Sequence, residues 1–260
     1  MPFPGPSKLA EWPNRRKFIL LVLPVMLFGN CRLAYRSLLG IDSTPEWQDE
    51  QDIKKKAKSY KIPTGELFLL DHASFHHAIQ KRAAAAMESL TTDGVVSPED
   101  SILRNKLLES VNNDLQPVQV RYFLGSGEPI FKLVNCYIDP PIPMNWNVEA
   151  CFDVFPPRPI AALKEECNDS LQFFLPHITR MDGTAGLSID DLPKADYYAL
   201  IFWNSFMIKP SKKLIKQLTS YDKIHQNKYT YFIYVNNHNA NLWSLIPDDQ
   251  KSQYTPPARE

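Results

Sequence analysis

The stretch YYALIFWNSFMIKPSKKLIKQL, residues 197–218, has the pattern of a buried strand followed by a helix. The apolar run at its start is too short for a helix, and the residues after Pro210 place leucine and isoleucine at helical spacing. A second apolar run, YTYFIYV at 229–235, predicts another strand. Strand, helix and strand in this order predict a βαβ unit, in which the two strands lie parallel in one sheet.

The segment PVQVRYFLGSGEPIFKLVNC, residues 117–136, predicts a β-hairpin. Two apolar runs are joined there by Gly-Ser-Gly at 125–127, and glycine is the residue that tight hairpin turns favour. The run at 66–70 predicts a further short strand, because it is apolar and bounded by Gly65 and Asp71. Together with helices predicted after Asp71, from Pro98 and over 160–174, these strands indicate an α/β fold with a mixed sheet and flanking helices.

A helix is also predicted over 45–60. Thr44 is the expected N-cap, Pro45 the expected first residue, and lysines are concentrated toward the end. On this interpretation the helix buries Trp47, Ile53, Ala57 and Tyr60.

The prolines divide the chain into two halves. Six of them crowd residues 139–159, where neither a central strand nor a long helix is expected, so this segment is interpreted as a connection. It separates a first half, 31–138, which contains the hairpin, from a second half, 160–250, which contains the βαβ unit. Residues 251–260 are expected to form a frayed tail.

The N-terminal residues 1–30 have the pattern of an export signal. Arg15, Arg16 and Lys17 precede an apolar run at 18–28. As a helix this run would extend only about 16 Å, roughly half of a hydrocarbon core, which favours a signal peptide over a membrane span. Cys31 follows almost directly and is similar to the lipidated cysteine of bacterial lipoproteins. The alternatives are a soluble secreted form and an uncleaved anchor over 18–39; all three place most of the chain outside the cytoplasm, in the cell envelope.

The cysteines argue against dithiol chemistry. No CxxC occurs, which excludes a dithiol oxidoreductase of the usual spacing. Cys136 and Cys151 flank the proline-rich segment and are candidates for a disulfide that closes it. The alternative is that Cys136, Cys151 and Cys167 are three buried free thiols.

The βαβ segment and the hairpin together resemble proteins of the thioredoxin-like superfamily, including thioredoxin-like lipoproteins of Gram-negative bacteria. Trp203 matches the tryptophan at the end of the first strand, and Met207 or Ile208 lies near the first cysteine position. Pro210 matches the helix proline, and Ser211 stands at the second cysteine. Asn236 or Asn237 matches the polar residue after the second strand. The resemblance therefore implies a thioredoxin-like sheet without its dithiol.

The hairpin precedes the βαβ unit here, whereas it follows in that family. Pro117 would stand where the family has its cis-proline. Two interpretations follow: a permuted thioredoxin-like sheet built from both halves, or a first domain over 45–175 with an appended βαβ unit.

Composition and motifs exclude several function classes. Lys plus Arg and Asp plus Glu each number 29, so no net charge favours nucleic acid. Neither GxGxxG nor GxxxxGK[ST] occurs, and no cofactor is expected. The densest set of metal-ligand side chains is Asp71, His72 and His76. Asp71 as a helix N-cap followed by partly exposed histidines is the simpler interpretation.

These observations favour a non-enzymatic function. We expect an exported, lipid-anchored protein that binds or scaffolds a protein partner in the envelope and contacts the membrane through its N-terminus. The alternatives are an envelope enzyme with a non-cysteine site at Asp71, His72 and His76, or a signal-anchored accessory subunit of a membrane complex.

Overall fold

The computed structural model describes residues 40, 42, 46–89, 98–137, 145–166 and 169–245. Within these residues, six strands form one sheet; their bounds are Leu67–Leu70 (β1), Gln119–Leu124 (β2), Pro129–Val134 (β3), Ile178–Arg180 (β4), Tyr197–Trp203 (β5) and Thr230–Asn236 (β6). Their order in the sheet is β3-β2-β5-β6-β1-β4.

The sheet is mixed. β5 pairs with β6 and β6 with β1 in parallel, whereas the β2–β3, β2–β5 and β1–β4 pairs are antiparallel. The predicted α/β mixed sheet is thereby confirmed. Because β2 and β5 are neighbours with Gln119 opposite Phe202, both halves of the chain contribute to the same sheet.

Helices cover both faces of the sheet. α1 and α5 pack on one face; α2 and α4 pack on the other, and Val111 of α3 lies against that same core. α5 connects the parallel strands β5 and β6, as the βαβ pattern predicts. The helices are Glu50–Tyr60 (α1), His72–Ser89 (α2), Pro98–Asp114 (α3), Leu171–Phe174 (α4), Ile208–Ile224 (α5) and His238–Leu245 (α6).

Two predicted helices differ from the structure. α1 begins at Glu50, because Asp49 is its N-cap and accepts a hydrogen bond from Asp52 N at 2.8 Å. Trp47 therefore lies before the helix and is 37 % exposed, whereas Ile53, Ala57 and Tyr60 are buried as predicted. The helix predicted over 160–174 is wrong: the chain forms a 3₁₀-helix at Ala161–Glu166 and the single turn of α4 instead.

The described part of the proline-rich connection contributes to the core. Trp146, Cys151 and Phe152 are buried against the face that carries α5. Tyr221 of α5 also donates a hydrogen bond to Val154 O at 2.6 Å. This segment therefore covers the sheet in addition to connecting the halves.

A buried ion cluster joins α3 to the hairpin. Arg121 Nη2 and Lys132 Nζ lie 2.5 Å and 2.8 Å from Asp114 Oδ1 at the end of α3. Arg82 of α2 pairs with the other oxygen of Asp114 and with Asp169. Arg121 and Lys132 stand directly opposite each other on β2 and β3. Their like charges thus require the carboxylate between them.

Residues 1–39 and 246–260 lie outside the described residues, and with them the predicted signal segment, Cys31 and the predicted tail. Within the described part of the chain, no helix combines the length and the apolar character that crossing a bilayer requires.

Candidate functional site

The carboxyl ends of the parallel strands β1, β6 and β5 lie at one edge of the sheet, here called the carboxyl edge. Ligands of open α/β sheets bind outside such an edge. A row of buried polar side chains follows the strands there: Asn204 and Ser205 after β5, and Asn236, Asn237 and His238 at the end of β6. This edge is the candidate site.

The structure places the thioredoxin-like motif residues at this edge without an exposed nucleophile. Trp203 is fully buried, and its ring packs edge-on against Tyr60 at 5.3 Å. Met207 is half-buried and directly precedes α5; Pro210 is buried in its first turn. Ser211 is buried as well, and its Oγ donates to Asn204 O at 3.1 Å. At the position that the resemblance would assign to a second cysteine, the chain therefore has a buried, hydrogen-bonded hydroxyl.

Asn204, which follows β5, connects to the start of β2 through Pro117 and to the end of β6 through Asn237. Its Nδ2 donates to Pro117 O at 3.1 Å, and its Oδ1 accepts from Met207 N at 2.7 Å. Asn237 Nδ2 donates to the same Pro117 O at 3.0 Å. Pro117 thus lies beside the start of α5, where the resemblance implies a proline. Among the described residues, however, the one cis peptide bond is Phe155–Pro156, so the bond before Pro117 is not cis.

A short piece of chain before α1 lies across the carboxyl edge. We call Gly40, Asp42 and residues 46–49 the docked segment. Asp42 N donates to Phe206 O at 2.7 Å, and Ile208 N donates to Gly40 O at 2.8 Å. α5 has no side-chain N-cap, so Gly40 O satisfies one of its free N–H groups.

Gly40 is required for this contact. Its φ is +63°, and a Cβ there would lie 2.9 Å from Lys209 N. Only glycine avoids both the strained backbone and the clash.

The second part of the docked segment is held by α6. Asn239 pairs with the Gln48 backbone in both directions, accepting from its N at 3.0 Å and donating to its O at 2.8 Å. Ser205 Oγ donates to Gln48 Oε1 at 2.7 Å. The Asn239 contacts join residues 191 positions apart and the Ser205 contact joins residues 157 apart, so local sequence patterns could not predict them.

His238 is held as a neutral imidazole. Its Nε2 lies 2.8 Å from Glu46 O, and since a carbonyl oxygen only accepts, Nε2 carries the proton. Burial lowers the pKa of His238, and Lys56 acts in the same direction. Its Nδ1 is buried with no hydrogen-bond partner among the described residues. That atom is an unused acceptor.

Two cavities open on either side of the docked segment, and Trp47 and Gln48 line both. The smaller, of about 570 Å³, is lined by Ser205 and His238. The larger, of about 810 Å³, lies at the ends of β1 and β6; we call it the edge crevice. Its apolar lining consists chiefly of Trp47, Ile53, Leu69, Leu70, Ala240 and Trp243.

Asn236 gives the edge crevice a polar group. This residue lines the crevice and is only 3 % exposed. Its Oδ1 accepts from His238 N at 3.2 Å, which fixes the orientation of the amide. Its Nδ2 has no hydrogen-bond partner among the described residues. Buried donors are normally paired, so this atom is one of the exceptions in the described part of the chain.

The predicted metal set is not assembled. The rings of His72 and His76 pack together with centroids 5.4 Å apart, and Asp71 Oδ1 accepts from Ser74 N as the N-cap of α2. In the described part of the chain, no group of three or more His, Cys, Asp or Glu side chains is placed to hold a metal ion.

The predicted disulfide is not present in the structure, where Cys136 and Cys151 are free thiols. Cys136 is exposed, whereas Cys151 is buried and its Sγ donates to Trp146 O at 3.6 Å. Burial raises the pKa of the Cys151 thiol to about 12, which makes it a poor nucleophile at neutral pH.

Comparison with known proteins gives no relative: no family model matches the chain, and no significant match was found among curated proteins or solved structures.

Proposed function

We propose that this chain is a non-redox binding protein of the cell envelope, anchored to a membrane at its N-terminus, and that it binds its ligand or partner in the edge crevice. The observation that carries the proposal is the crevice itself: an apolar cavity at the carboxyl ends of parallel strands, lined in part by buried Asn236.

The strand arrangement supports a permuted thioredoxin-like sheet. The run β6-β5-β2-β3 combines a parallel βαβ unit with an antiparallel hairpin, and Pro117 lies beside the start of α5. At the family's cysteine positions stand a half-buried methionine and a buried, hydrogen-bonded serine. These residues favour a binding function over thiol chemistry.

A photo-crosslinking residue tests the location of binding. We expect a photoreactive phenylalanine analogue at Trp47 to give an adduct of discrete mass in the intact envelope, because Trp47 lines the crevice and is 37 % exposed. Tyr229 provides the matched control: it is 53 % exposed and precedes β6, at the opposite edge of the sheet. Adducts detected by mass spectrometry at position 47 and not at 229 would support the proposal.

Trp47 belongs to the docked segment, so replacing it could disturb that segment. The same photoreactive residue at Ala73 avoids this, because Ala73 lies outside the docked segment, is exposed and also lines the crevice. Equal adducts at 47, 73 and 229, or adducts at none of them, would refute binding at this crevice.

The proposed anchor predicts lipid on Cys31. We expect metabolic labelling with palmitate to mark the chain, and Cys31→Ser to abolish the label because the acyl acceptor is lost. Cys136→Ser is the control, since Cys136 is exposed and lies in the folded part of the chain. A label that persists in Cys31→Ser, or no label on the unmodified chain, would show that the membrane attachment is not through this cysteine.

A further inference from the structure

We propose that the edge crevice selects a small organic cation, a substituted ammonium compound with an apolar body. This inference rests on the proposed function and names the ligand class of the same crevice. It is argued from the charges that line the crevice and from its two tryptophans.

The charged side chains of the lining are acidic. Asp49, Glu50 and Asp71 line the crevice, and neither lysine nor arginine does. Glu50 pairs with Lys54 at 3.6 Å on the exposed face of α1, which reduces its contribution. No ion pair to Asp49 or Asp71 occurs within the described residues, so these two carboxylates dominate the charge of the crevice.

The nearby His177 does not cancel that charge at neutral pH. His177 faces Asp71, but burial lowers the pKa of its imidazole, which therefore stays neutral at pH 7. His72 lines the crevice with its ring against His76.

The two aspartates have structural roles that do not require their charge. Asp49 caps α1 through Oδ1, 2.8 Å from Asp52 N, and Asp71 caps α2 through Oδ1, 3.2 Å from Ser74 N. Asparagine caps helices about as well. Each helix N-terminus carries only about half a positive charge. The helix dipoles therefore offset only part of the negative charge of each carboxylate, and the crevice stays negative.

The other lining groups suit an ammonium compound. Trp47 and Trp243 provide aromatic faces, which attract alkylammonium groups through cation–π interactions. The structure thus combines negative charge and aromatic surface in one crevice.

Two probes of similar size and opposite charge test the selectivity. Benzoylcholine carries an aromatic ring, an ester oxygen and a trimethylammonium group, whereas hippurate carries the same ring, an amide oxygen and a carboxylate. We expect isothermal titration calorimetry on the full-length chain in nonionic detergent to give benzoylcholine an affinity at least about tenfold higher than hippurate.

Charge-only variants identify the residues responsible. Asp49→Asn and Asp71→Asn retain the helix caps, so the thermal midpoint should stay the same. Each should weaken benzoylcholine binding roughly two- to fivefold, because each removes one partly exposed carboxylate. Glu128→Gln is the control: Glu128 is exposed in the β2–β3 turn, at the opposite edge of the sheet, and its replacement should leave the affinity unchanged.

The outcomes separate this inference from the proposed function. Equal affinity for both probes, or no effect of the two asparagine variants, would overturn cation selectivity while leaving the crevice as a binding site. Binding of neither probe, with crosslinking at position 47 retained, would show that the ligand belongs to another class. Loss of the crosslink as well would refute the proposed function itself.

Discussion

Replacement of Asp114 by asparagine is expected to lower the free energy of unfolding by about 3–5 kcal/mol. Asp114 is 1 % exposed, and Arg121 and Lys132, which it contacts, are nearly as buried. Asparagine can still accept a hydrogen bond but cannot neutralise them, so two cations would stand opposite each other in the core with too little negative charge. Urea denaturation of the two proteins would measure the difference.

Glu128→Gln serves as the matched control, because it also removes one carboxylate but at an exposed position. We expect it to change stability by no more than about 0.5 kcal/mol. If Asp114→Asn stays within about 1 kcal/mol of the unmodified chain, the cluster does not stabilise the fold as its geometry implies.

The acid dependence provides an independent check of the same cluster. Burial alone would raise the pKa of Asp114, but the charges of Arg121, Lys132 and Arg82 hold that pKa well below its usual range. Because the pKa is lower in the folded state, this contribution to stability is fully present above about pH 4 and is lost as pH falls toward the folded value. In Asp114→Asn the free energy of unfolding should therefore decrease less steeply as the pH falls below about 4.

Asn204→Ala is expected to cost about 2–4 kcal/mol. Asn204 is fully buried, and its amide joins Pro117 O and Met207 N. Alanine leaves Met207 N without its acceptor and Pro117 O with Asn237 as its remaining side-chain donor. The loss should be measured by chemical denaturation.

Asn112→Ala is the control for this variant, because Asn112 is exposed on α3 and alanine is the better helix former. Its stability should stay the same or rise slightly. A loss below about 1 kcal/mol for Asn204→Ala would mean that the polar row at the carboxyl edge adapts without that amide.

Local patterns predicted five of the six strands of the described sheet, whereas the short strand β4 at Ile178–Arg180 was not predicted. The strands at 197–203 and 230–236 and the hairpin around Gly125-Ser126-Gly127 all form where apolar runs and turn residues place them. These elements depend on neighbours in sequence, through periodicity and turn chemistry. The helix predicted over 160–174 failed because its residues are divided between a 3₁₀-helix and one turn of α-helix.

The candidate site could be predicted only in part. The sequence patterns identified Trp203, Pro210 and Ser211, which lie at the carboxyl edge. The edge crevice, however, depends on the docking of Gln48 against Asn239, which no local pattern encodes. The ion cluster did leave a signal: Arg121 and Lys132 interrupt two otherwise apolar hairpin strands, and such charges need a buried partner. Identifying Asp114 as that partner required the structure.

If Cys31 carries lipid as proposed, the position of Gly40 limits how far the folded part can move from a membrane. Gly40 is fixed beside the start of α5, and about nine peptide units separate it from Cys31, which reach at most about 32 Å when fully extended. On the proposal that Cys31 carries lipid, the linker between the lipid and the carboxyl edge is no longer than the width of a small domain. The crevice would then encounter its ligand at the bilayer surface. Lengthening this linker would change the distance from the bilayer at which the protein can bind its ligand, without altering the site.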